Sequence, residues 1–122
     1  MKNQAYRMAL LFDFYGDMLT ERQREFYDLY YNEDLSLSEI AENYGISRQG
    51  VRDVIVRAEA ALTELEDKTG IIRRFHAMQD QFKAVQADVD AIAQRNAQLY
   101  QDNEIEALTA KIGKTLDKLK QE

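Results

Sequence analysis

Ser47, Arg48, Gln49, Arg52 and Arg57 fall within a short run of this 122-residue chain. Arginine can pair with guanine and glutamine with adenine through two parallel hydrogen bonds, and Val56 in the same run can touch a thymine methyl. A serine and an arginine at the start of a helix suit phosphate contact, helped by the helix N-terminus. Other chemistries find little material. There is no cysteine and a single histidine, His76, which excludes disulfide frameworks, cysteine-ligated zinc, iron–sulfur sites and thiol catalysis. Asp13 and Asp17 share a helix face as paired catalytic carboxylates do, but solvated acids on a small helical domain are the ordinary reading. The five glycines are scattered, so no phosphate-cradling loop exists. The expectation is a chain with no catalytic residues, no metal, no cofactor and no small-molecule substrate.

Residues that read a base need a rigid helix whose other side is buried. At 100° per residue, Val51, Val54, Ile55, Ala58, Ala61, Leu62 and Leu65 span one arc, the core side. Opposite them lie Gln49 and Val56, flanked by Arg52 and Asp53, with Arg48 and Arg57 at the borders. Ser47 caps this helix, and Ile46 with Val51 stands at the two positions of a hydrophobic staple. The helix before it has the same devices: Ser36 and Glu39 form a capping box and Leu35 and Ile40 a staple. Gly45 ends that helix because the turn needs a residue that tolerates positive φ. Two capped helices separated by residues 43–46 make a tight, angled pair. Ile40 and Ala41 face the partner helix, Ile46 plugs the corner, and Val51 and Val54 bury the inner side. This is a helix-turn-helix pattern; a generic helical hairpin is the bland alternative.

Upstream, Met8, Leu11, Phe12 and Tyr15 form a helical stripe over residues 4–16. Thr20 and Gln23 make a further capping box, opening a helix to about Asn32 whose apolar side uses Phe26, Tyr27, Tyr30 and Leu29. Its tyrosines could stack on bases, but core packing is the simpler reading. No proline interrupts the chain, and 45% apolar residues suffice for a modest core.

The formal net charge of −6 is unevenly placed. Residues 1–70 carry 8 basic and 14 acidic side chains, whereas residues 71–122 carry 8 of each. Segment 47–58 has three arginines against Asp53, a basic stretch inside an acidic domain. Phosphate neutralisation supplies most non-specific affinity, so such a domain holds DNA weakly and releases it as salt rises. No signal peptide and no 18-residue apolar run are present, so a cytoplasmic protein without membrane insertion is expected.

The chain changes character at Gly70, which sets the expected domains at 1–70 and 71–122. Ile71, Phe75, Met78, Phe82, Val85, Val89, Ile92, Asn96 and Leu99 alternate at spacings of four and three, the register of a coiled coil, with Phe75, Val89 and Asn96 at position a. A lone asparagine at that position fixes register and oligomer state. The register breaks at 101–104, where Asn103 and Glu106 can cap a new helix. Its stripe is Ile105, Leu108, Ile112, Leu116 and Leu119. This last helix either folds back along the long one or extends onto a partner chain. Neither stripe can stay in water, so a homodimer is expected, the alternative being a helix packed on its own N-terminal domain.

Residues 19–23 (Leu-Thr-Glu-Arg-Gln), 35–42 (Leu-Ser-Leu-Ser-Glu-Ile-Ala-Glu) and 44–51 (Tyr-Gly-Ile-Ser-Arg-Gln-Gly-Val) resemble region four of bacterial sigma factors, the helix-turn-helix that reads promoters. With residues 11–15 (Leu-Phe-Asp-Phe-Tyr), the chain resembles the YlxM family of small bacterial proteins over about residues 5–67. The resemblance implies an all-α, dimeric protein: a sigma-region-four-like helix-turn-helix domain without a wing, then a long coiled-coil-like helix and a shorter C-terminal helix. It carries the recognition helix over onto Ser47, Arg48, Gln49, Arg52 and Arg57, with DNA as partner. Genes of the family tend to lie beside those of the signal recognition particle and its receptor. That implies a second possible role, as an adaptor on that particle's RNA or protein. Sigma factors keep a more basic outer face than this chain, which has Asp53 there.

Overall fold

A computed structural model describes residues 5–121, all in helices, turns and connecting segments, with no strand among the described residues. Six α-helices follow in order: α1 Ala5–Tyr15, α2 Glu21–Tyr31, α3 Leu37–Tyr44, α4 Arg48–Thr69, α5 Ile71–Arg95 and α6 Asn103–Gln121. A 3-10 turn, Gly16–Met18, follows α1, and a π-helical turn, Asn96–Tyr100, follows α5. The expected first helix loses its last residue to the 3-10 turn, and residue 4 lies outside the described residues. No helix is long and apolar enough to cross a membrane among the described residues. Contacts divide the chain into two units, Met1–Ile72 and Arg73–Glu122.

The helix boundaries of the first unit follow from local chemistry. Thr20 Oγ accepts from Gln23 N–H while Gln23 Oε1 accepts from Thr20 N–H, and Ser36 and Glu39 repeat the arrangement at α3. Ser47 Oγ accepts from Gly50 N–H at 2.9 Å to open α4. Gly45 and Gly70 close α3 and α4 at φ of 66° and 62°, a left-handed backbone that a Cβ disfavours.

Helix α4 is the spine of this unit. Its Val51 and Ile55 pack with Phe26, Tyr30, Ile40 and Ala41, which locks α2 and α3 against its first half. Its Ala58 and Leu62 pack with Met8, Leu11, Tyr15, Leu19 and Tyr27, which holds α1 against its second half. Ile40, Val51 and Ile55 are wholly buried, each worth about 2 kcal/mol in transfer free energy. The aromatic side of α2 is thus core: Tyr27 hydroxyl donates to Met8 carbonyl at 2.6 Å and its ring stacks on Phe12 at 5.3 Å.

Beside these rings Glu59 is half-buried, and its Oε1 has no hydrogen-bond partner. Burial pushes its carboxyl up from the usual range, partly offset by a hydrogen bond with Tyr31. A raised carboxyl pKa means the fold disfavours the charged form that predominates at neutral pH. Glu59→Gln is therefore expected to raise the stability of the chain by about 1 kcal/mol. Thermal denaturation at neutral pH checks it, an unchanged or lower midpoint being the contrary result.

Where α4 ends, Glu66 is buried on the core face. Its Oε1 accepts from Tyr15 hydroxyl at 2.5 Å and from Ile72 N–H at 2.9 Å. Tyr15 gives its one proton to Glu66, so Thr69 hydroxyl donates to Tyr15 oxygen at 2.6 Å. Burial, then the carboxylate of Glu66, holds the Tyr15 hydroxyl above its ordinary pKa.

In the second unit α6 folds back antiparallel on α5, which answers the alternative left open by the sequence. Leu119 lines one hollow with Phe75, Met78 and Phe82, Ile105 lines another with Ile92 and Asn96, and Gly113 sits against Gln86. The corner is held by Asn96, whose Nδ2 donates to Asp102 carbonyl at 2.9 Å while its Oδ1 accepts from Asp102 N–H at 3.0 Å. Both polar atoms of this buried asparagine are thus engaged within its own chain, and the register it fixes is that of the hairpin. The cap of α6 is Asp102, one residue before the expected Asn103: Asp102 Oδ1 accepts from the N–H of Glu104 and Ile105 at 2.8 and 3.0 Å. Gln101 at φ 50° reverses the chain and brings Asp102 into the capping position.

Candidate nucleic-acid interface

The turn between α3 and α4 sets the geometry of the outer face. Gly45 and Ile46 N–H both turn back onto Ala41 carbonyl, which ends α3 and starts α4 within three residues. Gly50 has its own reason to be glycine: a Cβ there would lie 3.1 Å from Ser47 Oγ and crowd the cap.

Ser47, Arg48, Gln49, Arg52 and Arg57 are all solvent-exposed, while Val51, Ile55 and Ala58 between them are buried. The structure brings four of the five to one end of α4. Arg48, Gln49 and Arg52 occupy its first two turns, with Val56 exposed one turn further on. From Arg48 to Val56 the helix rises about 12 Å, the width of a DNA major groove. Arg57 stands at the edge of this face, by the 100° step of the helix.

Two features were not read from the sequence. Gln49 Nε2 donates to Asp53 Oδ1 at 3.0 Å, so the acid orients the amide. The spacing of four residues was the available signal. Asp53 thereby acts twice, as a negative charge on the face and as a fixed partner that leaves the Gln49 carbonyl to accept from outside. The second feature is a shallow open depression of about 400 Å³ lined by Tyr30, Ser36, Leu37, Ser38 and Arg48. It places Arg48 beside the N-terminus of α3, whose Ser38 hydroxyl is exposed. This juxtaposition depends on how α2, α3 and α4 pack, which no local spacing encodes.

The surroundings are anchored. Tyr44, the last residue of α3, donates to Glu25 of α2 and packs edge-on against Phe26 at 4.8 Å. The hydrogen bond to Glu25, then burial, pushes its hydroxyl pKa up. Arg22 lies over the Phe26 ring at 5.3 Å. The other residues considered for chemistry have their own surroundings. Asp13 and Asp17 are exposed, Asp17 against Arg24 at 3.4 Å, and His76 is exposed beside Phe75. No group of three or more acidic or histidine side chains able to hold a metal occurs among the described residues.

Comparison with known proteins agrees with this geometry. The sequence profile of the UPF0122 family, described as "Putative helix-turn-helix protein, YlxM / p13 like", matches residues 2–105. A UPF0122 protein of Thermoanaerobacter sp. is 38% identical over 112 residues, 92% of each chain. One from Acetivibrio thermocellus is 46% identical over 90 residues, 74% of this chain and 77% of its own. One from Desulforamulus reducens is 53% identical over 70 residues, 57% of this chain and 60% of its own. The paired helices α3 and α4, their glycine turn and this extent of similarity place the chain in the UPF0122 family of helix-turn-helix proteins.

Proposed function

We propose that the chain is a DNA-binding regulatory protein that reads the major groove with the outer face of α4. The observation that carries this reading is the exposure of Ser47, Arg48, Gln49, Arg52 and Arg57 on a helix whose opposite side is locked into the core. Ser47, Arg48 and the adjoining start of α3 hold phosphates, which sets register without reading sequence. Arg52 and Gln49 read base edges, and Val56 packs on a thymine methyl. The likeness of residues 35–51 to sigma-factor region four supports the same orientation.

Asp53 tunes this face. Its charge opposes phosphate, and its hold on Gln49 fixes the amide. Asp53→Asn removes the charge and keeps an acceptor for Gln49. It is expected to raise affinity for any duplex about threefold, the Coulomb effect of one charge some 8 Å from a phosphate at near-aqueous dielectric. Titration of labelled duplexes by fluorescence anisotropy checks it, and unchanged or weaker binding is the contrary result.

The 14 acidic against 8 basic residues of 1–70 favour a second reading, an adaptor that contacts signal recognition particle RNA or protein. Recovery of partners from the cell lysate, with and without nuclease and at two salt concentrations, separates the two. Nuclease-sensitive recovery of a DNA region that falls steeply with salt supports the regulator. Recovery of the particle's RNA or protein with no DNA overturns it.

A further inference from the structure

The hairpin of α5 and α6 buries only part of the apolar surface its sequence supplies. Phe75, Phe82, Val89 and Asn96 form the column of α5 nearest α6, and all four are buried or half-buried. The other column, Met78, Val85, Ile92 and Leu99, is 44–59% exposed. On α6, Leu108, Ile112 and Leu119 are 43–51% exposed, while Thr109 and Leu116 are buried. By the helical step, the exposed α5 column lies to one side of the packed column. Because α6 runs the other way, its exposed column falls on the same side. Met78 and Leu119 accordingly line one hollow. The hairpin therefore has one continuous open apolar face. The exposed fractions amount to roughly 600 Å² per copy, near the ~800 Å² per partner of a standard interface and at the upper end for a monomer's largest patch.

Charge along the hairpin is polarised. Residues 73–83 and 111–121, at its open end, carry seven basic and two acidic side chains. Residues 84–110, at its turn end, carry one basic and five acidic. A surface that must meet a copy of itself across a twofold axis has two ways to stack face to face. With turns together, acidic half meets acidic half and basic meets basic. With turns at opposite ends, each basic half covers an acidic half.

We infer that this face binds a second copy of the chain with the two hairpins antiparallel, forming a four-helix bundle in which α5 packs on α5 of the second copy. The twofold axis crosses near Val85, so Val85 meets its own counterpart and Met78 meets Ile92 of the second copy. The coiled-coil seam expected from the sequence is thereby divided, the column of Phe75 serving the hairpin and that of Met78 the dimer. The two Arg73 residues, where the chains enter the bundle, stand at opposite ends, roughly 40 Å apart by helix rise.

The chain has no cysteine, so introduced ones report without background. In the full-length protein under mild oxidation, Val85→Cys is expected to form a disulfide dimer on its own. Met78→Cys and Ile92→Cys are expected to do so only when mixed. Turns-together stacking would instead place Val85 against Ile112, giving disulfides only between Val85→Cys and Ile112→Cys, and would overturn the inference. Sedimentation equilibrium of the unaltered chain is expected to return twice the 14.2 kDa chain mass, and a monomer at micromolar concentration overturns it. Ile92→Glu is expected to yield a monomer of unchanged helicity; a dimer that persists with that charge on the face is the contrary result. None of these readouts uses nucleic acid, so they stand or fall apart from the DNA reading.

Discussion

Arg52→Ala is expected to lower affinity for the preferred duplex ten- to a hundredfold, on the order of 1–3 kcal/mol for a lost bidentate base contact, and affinity for random duplexes only about threefold, the effect of one charge on this face. Arg48→Ala is expected to weaken every duplex alike and to reduce the slope of log affinity against log salt by about one. The difference follows from position. Arg48 is the first residue of α4, beside the start of α3. Arg52 stands a turn further along the outer face. Both are exposed and neither belongs to either core cluster, so both variants are expected to keep the melting temperature of the parent. Anisotropy titrations at several salt concentrations, on preferred and scrambled duplexes, check the pair. Equal losses in both variants, or losses insensitive to salt, would remove the assignment of roles.

The second large effect is alkaline unfolding. Burial holds the Tyr27 and Tyr31 hydroxyls far above the ordinary tyrosine pKa of 10, with their neighbour Glu59 adding to the effect in both. Below about pH 10 both hydroxyls are protonated in folded and unfolded chains alike, and their contribution to stability is fully present. Above it the unfolded chain releases these protons and the folded chain keeps them, so stability falls as pH rises. Each residue contributes about 1.4 kcal/mol of loss by about pH 11, roughly 3 kcal/mol for the two. For a domain of this size that is a drop of more than about 10 °C in melting temperature. Circular dichroism melts from neutral to alkaline pH measure the drop. Tyrosinate absorbance should show these hydroxyls ionising only with unfolding; a flat melting temperature across this range would contradict their burial.

Much of the first unit was legible because its signals are local. A capping box is two hydrogen bonds between residues three apart, and Thr20–Gln23 and Ser36–Glu39 close as their types imply. Gly45 and Gly70 take the left-handed turns that only glycine adopts freely. The buried face of α4 followed from periodicity for the same reason. Glu66 was not legible. A carboxylate on a core face looks misplaced until Tyr15, from 51 residues earlier, and Ile72 N–H satisfy it. In the tail, the four-three alternation marked an apolar stripe along α5, but period alone does not say which helix covers it. The cover for the column of Phe75 came from the return of α6, which depends on Asn96 gripping Asp102 and on Gln101 reversing the chain. The outer face of α4 was legible residue by residue. Its setting beside the start of α3 was not, because tertiary packing alone brings Ser38 to Arg48.

The central claim is that the outer face of α4 reads duplex DNA. Selection from a random duplex pool, with the full-length protein and its Arg48→Ala/Arg52→Ala double variant side by side at low and moderate salt, tests it most directly. The expected result is enrichment of a short motif by the parent, falling steeply with salt, and no enrichment by the double variant. Pools that remain equally unenriched with both proteins at low salt would contradict it.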